Sequence, residues 1–464
     1  MSKWDSVYVR LPTPAQNAAI SIFGLYWHWL RFGPGYVDFV REYEERERFT
    51  VNDWARWQAS RLREQLTACA NHVPYYREHW SAAQKRAAAR GELGGLPLLE
   101  KEPIRSAPTS FLRDDLTPRR PHVFLTSGTT GMPISTYFTV PELRASLALR
   151  EARSARWAGV SFSMPRATFS GRLVEPDPHS AGPFHRVNLV ERQVYFSAFH
   201  LRSDTAIQYV DALRLHKIAW GTGYAVSYYL LARFMLERHL SSPPLKAIIT
   251  TSEILTVEMR QVMEQAYGCR VFEEYSTVEN AVFAGECENG RLHVSPDVSI
   301  VEILSPDGRP CPPGELGEVV ATVLSRTYQP LIRFRLGDLA MWDTEQCPCG
   351  RQMPVIKEVV GRIEDVIAGP DGRQMVRFHG VFVGQPHVRE GQVVQEALDR
   401  IRVKVVPTDG FGQEDIADII RRVQQRLGNG VTVVVEQVKD IPRTPAGKFQ
   451  AVVSKLQKLD GDST

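Results

Sequence analysis

No apolar run in this chain is long enough to span a bilayer. The nearest, residues 17–30 (NAAISIFGLYWHWL), is too short and is interrupted by His28. It reads as a packed N-terminal helix, with a helix lying on a membrane surface as the second reading. A secretory signal is also missing, since no basic segment precedes an apolar core and a small-residue cleavage site. Six cysteines in 464 residues do not make a disulfide framework, so the cytoplasm is the expected compartment. The net charge of +3 is small for this length and gives no reason to make nucleic acid or an anionic membrane the main partner. Repeats and low-complexity segments are absent.

What is present suits a soluble globular protein. Apolar residues make up 43% and charged residues 23%, and the length calls for two or three domains. Residues 38–70 have helical spacing. Further on, strand and helix alternate. His216–Trp220 reads as a strand, Gly221-Thr222-Gly223 as a turn, 224–240 as a helix, 245–251 as a buried strand, 256–267 as a helix and 270–274 as a strand. That alternation builds a doubly wound sheet whose ligands sit at the carboxyl ends of the strands. From 298 to 343 short β runs and turn signals suggest a small antiparallel or barrel-like subdomain. Strands at 401–406 and 431–438 enclose a helix with one apolar stripe, Ile416, Ile419, Ile420, Val423 and Leu427.

The most informative segment is Leu125-Thr126-Ser127-Gly128-Thr129-Thr130-Gly131-Met132-Pro133, which follows the apolar Val123-Phe124. Glycines let backbone N–H groups turn inward to make a concavity for anionic oxygens, and the hydroxyls add donors. No Gly-Lys-Ser/Thr follows, so this is not the loop of kinases and GTPases. The segment resembles the phosphate loop of the adenylate-forming superfamily of acyl-CoA synthetases, luciferases and peptide-synthetase adenylation domains. Four further segments resemble that superfamily's signatures in order: Tyr275-Ser276-Thr277-Val278-Glu279, Arg333-Phe334-Arg335-Leu336-Gly337-Asp338-Leu339, Val360-Gly361-Arg362-Ile363-Glu364-Asp365 and Pro442-Arg443-Thr444-Pro445-Ala446-Gly447-Lys448. His72-Val73-Pro74-Tyr75-Tyr76-Arg77 and Cys347-Pro348-Cys349-Gly350-Arg351 are similar to the phenylacetate–CoA ligase and coenzyme F390 synthetase branch.

The resemblance implies an α/β fold. A large N-terminal domain (1–362) would carry doubly wound sheets and a small β-barrel-like subdomain, followed by a small mobile α+β lid (363–464). It implies ATP-dependent activation of a carboxylic acid, aromatic acids being common in the branch, to an acyl-adenylate with loss of pyrophosphate. Coenzyme A is the expected acceptor. An amine or a carrier-protein thiol stays open as an alternative, as does a nucleotide-binding scaffold without catalysis.

By the same resemblance Lys448 bridges the acid, ribose and α-phosphate, Glu279 holds Mg²⁺, and Thr126, Ser127, Gly128, Thr129, Thr130 and Gly131 cradle phosphates. Ser252 and Glu253 line the adenine, and Tyr275, Ser276 and Thr277 complete the turn. Asp338 holds the ribose, offering paired lone pairs to its hydroxyls, and Arg362 donates to the ribose or the phosphates from the far side. Val278 stands where the family has Thr, and Ile134 where it often has Lys. His200, after Tyr195-Phe196-Ser197-Ala198-Phe199, lies where the family has a histidine beside the acyl site, and a structural histidine is the other reading. Residues 161–192, with Arg166, Arg172 and His185, carry no motif and are assigned to the acyl pocket. Cys287, His293, Cys347 and Cys349 offer three thiolates and an imidazole. Cys-x-Cys alone is a weak metal signal, but matching positions in the branch point to a structural Zn²⁺.

Overall fold

The computed structural model describes residue 8 and residues 11–456, apart from 127–133, 171, 173, 176, 178–179, 199, 363–366, 371–373, 376–377, 383–384 and 444–448. By contacts the chain divides into two compact units. One comprises residues 1–336 and 340–359, the other 337–339 and 360–464.

The first unit opens with helices α1 (Thr13–Phe32), α2 (Tyr36–Arg46) and α3 (Val51–His72). A reciprocal cap fixes the start of α3. The Asp53 amide donates to the Thr50 hydroxyl at 3.2 Å, and the Thr50 amide donates to the Asp53 carboxylate at 3.0 Å. An antiparallel hairpin follows, β1 (His122–Leu125) and β2 (Ser135–Phe138). Then come α4 (Val140–Arg150), β3 (Arg166–Ser170), β4 (His185–Asn188), β5 (Gln193–Ser197), α5 (Ala206–Leu215), β6 (Trp220–Tyr224), α6 (Ala225–Glu237), β7 (Ala247–Thr251), α7 (Val257–Tyr267) and β8 (Arg270–Ser276). The remaining strands of the sheet are β9 (Phe283–Glu286), β10 (Leu292–Val294), β11 (Ser299–Leu304), β12 (Gly317–Val323), β13 (Phe334–Trp342) and β14 (Val355–Arg362).

Strands β3–β14 form one twelve-stranded sheet in the order β11-β12-β13-β14-β10-β9-β8-β7-β6-β3-β5-β4. Within it β5, β3, β6, β7 and β8 run parallel. Both faces of this parallel part are covered, and strand β7 is accordingly apolar over its first three residues, Ala247–Ile249. Ile248 and Val271 point into a cluster with Tyr228, Leu231 and Met263 of α6 and α7. Trp220, Ala247, Ile249 and Phe272 point the other way, onto Ala155, Val160 and Phe162. At one end of the sheet the free edge of β4 is occupied by α1. The Val187 amide donates to Asn17 Oδ1 at 2.9 Å, and the Ser21 hydroxyl accepts from the Leu189 amide at 3.1 Å. A helix over an edge strand removes a template for pairing with other chains.

Two expectations differ in detail. The strand expected at 216–220 begins at Trp220 and contains Gly221-Thr222-Gly223, which was read as a turn. Gly223 has φ +127°, and a Cβ there would lie 1.8 Å from the Phe169 carbonyl oxygen, so the glycine marks close approach of two strands. The strands expected over 298–343 are antiparallel but continue the large sheet, with β11 paired to β12.

The second unit holds a short pair, β15 (Ile367–Ala368) and β16 (Gln374–Met375), and a four-stranded sheet. That sheet contains β17 (Val388–Ala397), β18 (Arg400–Pro407), β19 (Thr432–Gln437) and β20 (Val452–Ser454) in the order β19-β18-β17-β20. Helix α8 (Gln413–Leu427) buries Ile419, Val423 and Leu427 among Val393, Ile401, Val403 and Val405. Each such side chain contributes about 1.5–3 kcal/mol relative to exposure.

Candidate functional site

The parallel strands end together, and the residues expected to hold nucleotide lie at those ends. After β7, Ser252 adopts φ 71°, a left-handed conformation that costs a non-glycine residue about 1–2 kcal/mol. The neighbouring Glu253 carboxylate accepts from the Val226 amide at 2.9 Å, in the first turn of α6. Glu253 therefore anchors the loop to a helix N-terminus, where a carboxylate is favoured.

After β8 the chain turns at Thr277–Ala281. The Asn280 amide donates to the Thr277 carbonyl at 2.9 Å, and the Ala281 amide donates to the Thr277 hydroxyl at 3.2 Å. Thr277 is thus spent on closing the turn, and Ser276 donates to Glu274 at 3.3 Å. Val278, in the family's Thr position, is exposed. The turn leaves Glu279 buried, and no described donor hydrogen-bonds its carboxylate. A buried carboxylate without donors is suited to a cation.

Thr126 closes the base of the phosphate loop. Its amide donates to the Ile134 carbonyl at 3.1 Å, and its hydroxyl accepts from the Ile134 amide at 2.9 Å. Ser127, Gly128, Thr129, Thr130, Gly131 and Lys448 lie outside the described residues, as does the Arg362 side chain. Asp338 is buried on β13 after Gly337, whose φ is 76°, and is counted with the second unit.

One group was invisible to sequence reasoning. Arg326, 1% exposed, donates through Nη1 to the Glu279 carbonyl at 2.6 Å and through Nη2 to the Tyr137 carbonyl and to Gln329 Oε1 at 2.9 Å. Gln329 in turn accepts from the Tyr137 amide at 2.9 Å. Glu142 at the start of α4 accepts from the amides of Thr327 and Tyr328 at 2.8 and 2.9 Å. Residues 326–329 thus tie β2, which leaves the phosphate loop, to the turn bearing Glu279. Burial brings the Arg326 guanidinium down to about 10, opposed by Glu142 and Glu279, so it stays charged at neutral pH. Its only sequence signal is a charge closing the apolar run Val319–Leu324.

His200 is 2% exposed, and both ring nitrogens are engaged. Nδ1 pairs with the Ser197 hydroxyl at 2.8 Å and Nε2 with the Asp177 carbonyl at 2.9 Å, which assigns the proton to Nε2. These two bonds fasten the segment before β4 to the end of β5. Arg166 is likewise structural, donating to Phe162, Glu191 and Gln193. His185 lies 3.2 Å from His216, and burial holds it down at about 4. Arg172 is exposed, with its guanidinium 4.6 Å from the Tyr195 ring centre.

The four zinc candidates come together. Cys287 Sγ lies 3.6 Å from Cys347 Sγ, Cys349 Sγ lies 3.4 Å from His293 Nε2, and all four donor atoms fall within 4.8 Å of one another. Bond lengths of about 2.3 Å to sulfur and 2.0–2.1 Å to nitrogen at tetrahedral angles require edges of this size, so the set fits zinc. His293 Nδ1 faces the Met353 carbonyl at 3.3 Å, which turns Nε2 toward the thiols. Burial lowers His293 to about 4, leaving it neutral as a ligand must be.

The fold agrees with what the chain is similar to. Residues 371–455 match the family model of the CapK C-terminal domain. Protein CapK of Staphylococcus aureus is 24% identical, with 97% of this chain and 99% of that protein covered. Phenylacetate-coenzyme A ligase of Thermus thermophilus is 25% identical over 85% of this chain and 95% of that protein. Among solved structures, 2-hydroxyisobutyryl-CoA ligase in its postadenylation state superposes with a TM-score of 0.69 at 21% identity, covering 88% of this chain and 91% of that one. An anthranilate CoA ligase with bound anthranoyl-AMP gives a TM-score of 0.50 at 15% identity, covering 71% and 65%. The chain has the fold of the adenylate-forming superfamily. Its sequence relatives bear out the phenylacetate–CoA ligase-like branch.

Proposed function

We propose that the protein is an AMP-forming ligase. It activates a carboxylic acid with ATP to an acyl-adenylate and passes the acyl group to a thiol, coenzyme A in the first instance. The observation that carries this reading is the buried carboxylate of Glu279 in the turn after β8, which meets no donor among the described residues and whose backbone is braced to the β1–β2 hairpin through Arg326. The name of one relative, phenylacetate-coenzyme A ligase, and the neighbouring acyl-AMP complexes support it.

Joining a carboxylate to the α-phosphate brings two anions together, so catalysis is mostly positioning and charge neutralisation. Glu279 is the residue that would hold Mg²⁺, and the ion when bound would neutralise phosphate oxygens. The amides and hydroxyls of 126–131 would cradle the phosphates. Ser252 shapes the adenine side, Asp338 and Arg362 take the ribose, and Lys448 supplies an ammonium beside the reacting carboxylate. Cys287, His293, Cys347 and Cys349 would hold Zn²⁺ with no open position, which makes that metal a staple rather than a catalyst.

Pyrophosphate exchange into ATP with a panel of acids, aromatic ones first, tests the activation step. Offering the activating acid with coenzyme A, amines or carrier protein identifies the acceptor. Lys448→Ala should lower adenylate formation by about 100-fold or more and leave transfer from supplied acyl-adenylate nearly unchanged. Absence of exchange with every acid would favour the scaffold reading.

A further inference from the structure

Helix α1 completes its packing with one face. Asn17 and Ser21 bond the edge of β4, Gly24 sits against the Asn188 side chain, and Leu30 is buried. The opposite face is apolar all the same. Ile22, Phe23, Leu25, Tyr26 and Trp29 are 69, 58, 60, 48 and 57% exposed. Leu189, 74% exposed where its amide meets Ser21, widens the strip. A helix that serves only to cover an edge carries polar residues on its outer side, so this surface asks for an occupant.

The charge around the strip has one sign. Residues 13–32 and 116–125 contain no Asp or Glu. Arg31 is taken by the buried Glu191, but His28 is exposed. On the other flank the His122 ring lies 6.3 Å from Tyr26 and 5.9 Å from Trp27. Just before His122 stand Arg119 and Arg120, both exposed and without an ion pair among the described residues. Exposed arginines elsewhere, such as Arg77 and Arg90, have carboxylate partners at 2.6 and 2.7 Å.

We propose that this face docks the protein on an anionic lipid surface. Tyr26 and Trp29 have an apolar body with a polar tip and suit the headgroup level, while Phe23, Ile22 and Leu25 enter the acyl boundary. Arg119 and Arg120 meet lipid phosphates. A second copy of the chain is a poorer occupant, because the strip and its flank offer no carboxylate to the arginines of a copy. The small net charge of the whole chain does not oppose this, since the attraction acts within a Debye length of the surface.

The test is sedimentation of the full chain with phosphatidylcholine vesicles, with and without phosphatidylglycerol. Binding should require the anionic lipid and weaken with salt. Phe23→Ser with Trp29→Ser should lower it about tenfold or more, and Arg119→Glu with Arg120→Glu should abolish the preference for anionic lipid. All these residues are exposed, so the melting temperature should stay unchanged. No binding, equal binding to neutral vesicles, or a dimer in light scattering that Trp29→Ser dissolves would each overturn the proposal. The outcome is independent of whether pyrophosphate exchange is found.

Discussion

The guanidinium of Arg326 donates to the main-chain oxygen of Glu279 at 2.6 Å, holding in place a residue whose carboxylate has no hydrogen-bond donor among the described residues. The same guanidinium reaches Tyr137 on the strand leaving the phosphate loop. One buried cation therefore ties the Glu279 turn to the strand that follows the proposed phosphate loop.

Arg326→Lys keeps the charge but cannot bridge three acceptors with a rigid fork. Losing charged hydrogen bonds of about 1.5–3 kcal/mol should lower kcat/KM for MgATP about 10–100-fold and raise the Mg²⁺ concentration needed for half-maximal exchange. Magnesium titrations of pyrophosphate exchange measure this. An unchanged magnesium requirement, with activity lost only in proportion to unfolded protein, would mean that Arg326 serves stability alone.

Purified protein should contain about one zinc per chain. Chelation or Cys349→Ser should remove the metal and lower the melting temperature. Metal analysis without zinc, or Cys349→Ser with unaltered metal content, would dismiss the staple.

Glu364, outside the described residues, follows Gly361, whose φ is 130°. If Lys448 and an acyl acceptor use the same side of the activated carbonyl in turn, as the proposed function requires, a pivot is needed, and the sequence resemblance puts it at Glu364. Glu364→Pro, by fixing φ, should leave adenylate formation largely intact and slow transfer to the acceptor. Half-reaction kinetics decide the matter, and a defect confined to adenylation would place the pivot elsewhere.

Burial, reinforced by Glu286, pushes the Glu273 carboxyl up to about 7. Raised acids favour folding below their unfolded value, and that contribution is lost as pH rises through the folded value. Stability from this group is therefore full below about pH 4.5 and gone above about pH 7. Glu273 keeps some exposure, so the effect is set at about 1 kcal/mol, below the ceiling that the shift alone implies. Glu273→Gln should melt about 2 °C higher at pH 8 and no higher at pH 4.5. Parallel melting curves would refute this if the gain were equal at both.

The parallel core was legible because buried strands such as Ala247–Thr251 are short apolar runs bounded by turn residues, and the α8 stripe was legible from its period. The gathering of Cys287, His293, Cys347 and Cys349 could be read because those residue types in that pattern already point to a metal. Gly221-Thr222-Gly223 misled because glycine signals a turn and a close strand approach alike. Arg326 and Glu142 could not be read, since each acts on carbonyls or amides far away in the chain, and backbone groups leave no residue type to recognise.

The bond from Val187 to Asn17 spans 170 residues of chain. During synthesis α1 leaves the ribosome long before β4 exists, and until then its inner polar groups have no edge to meet. Contacts between such distant segments carry a large loop-closure cost and form late. The first long helix to be made is thus among the last to be seated. Meanwhile its aromatic side chains are open to whatever chaperone or surface lies nearby.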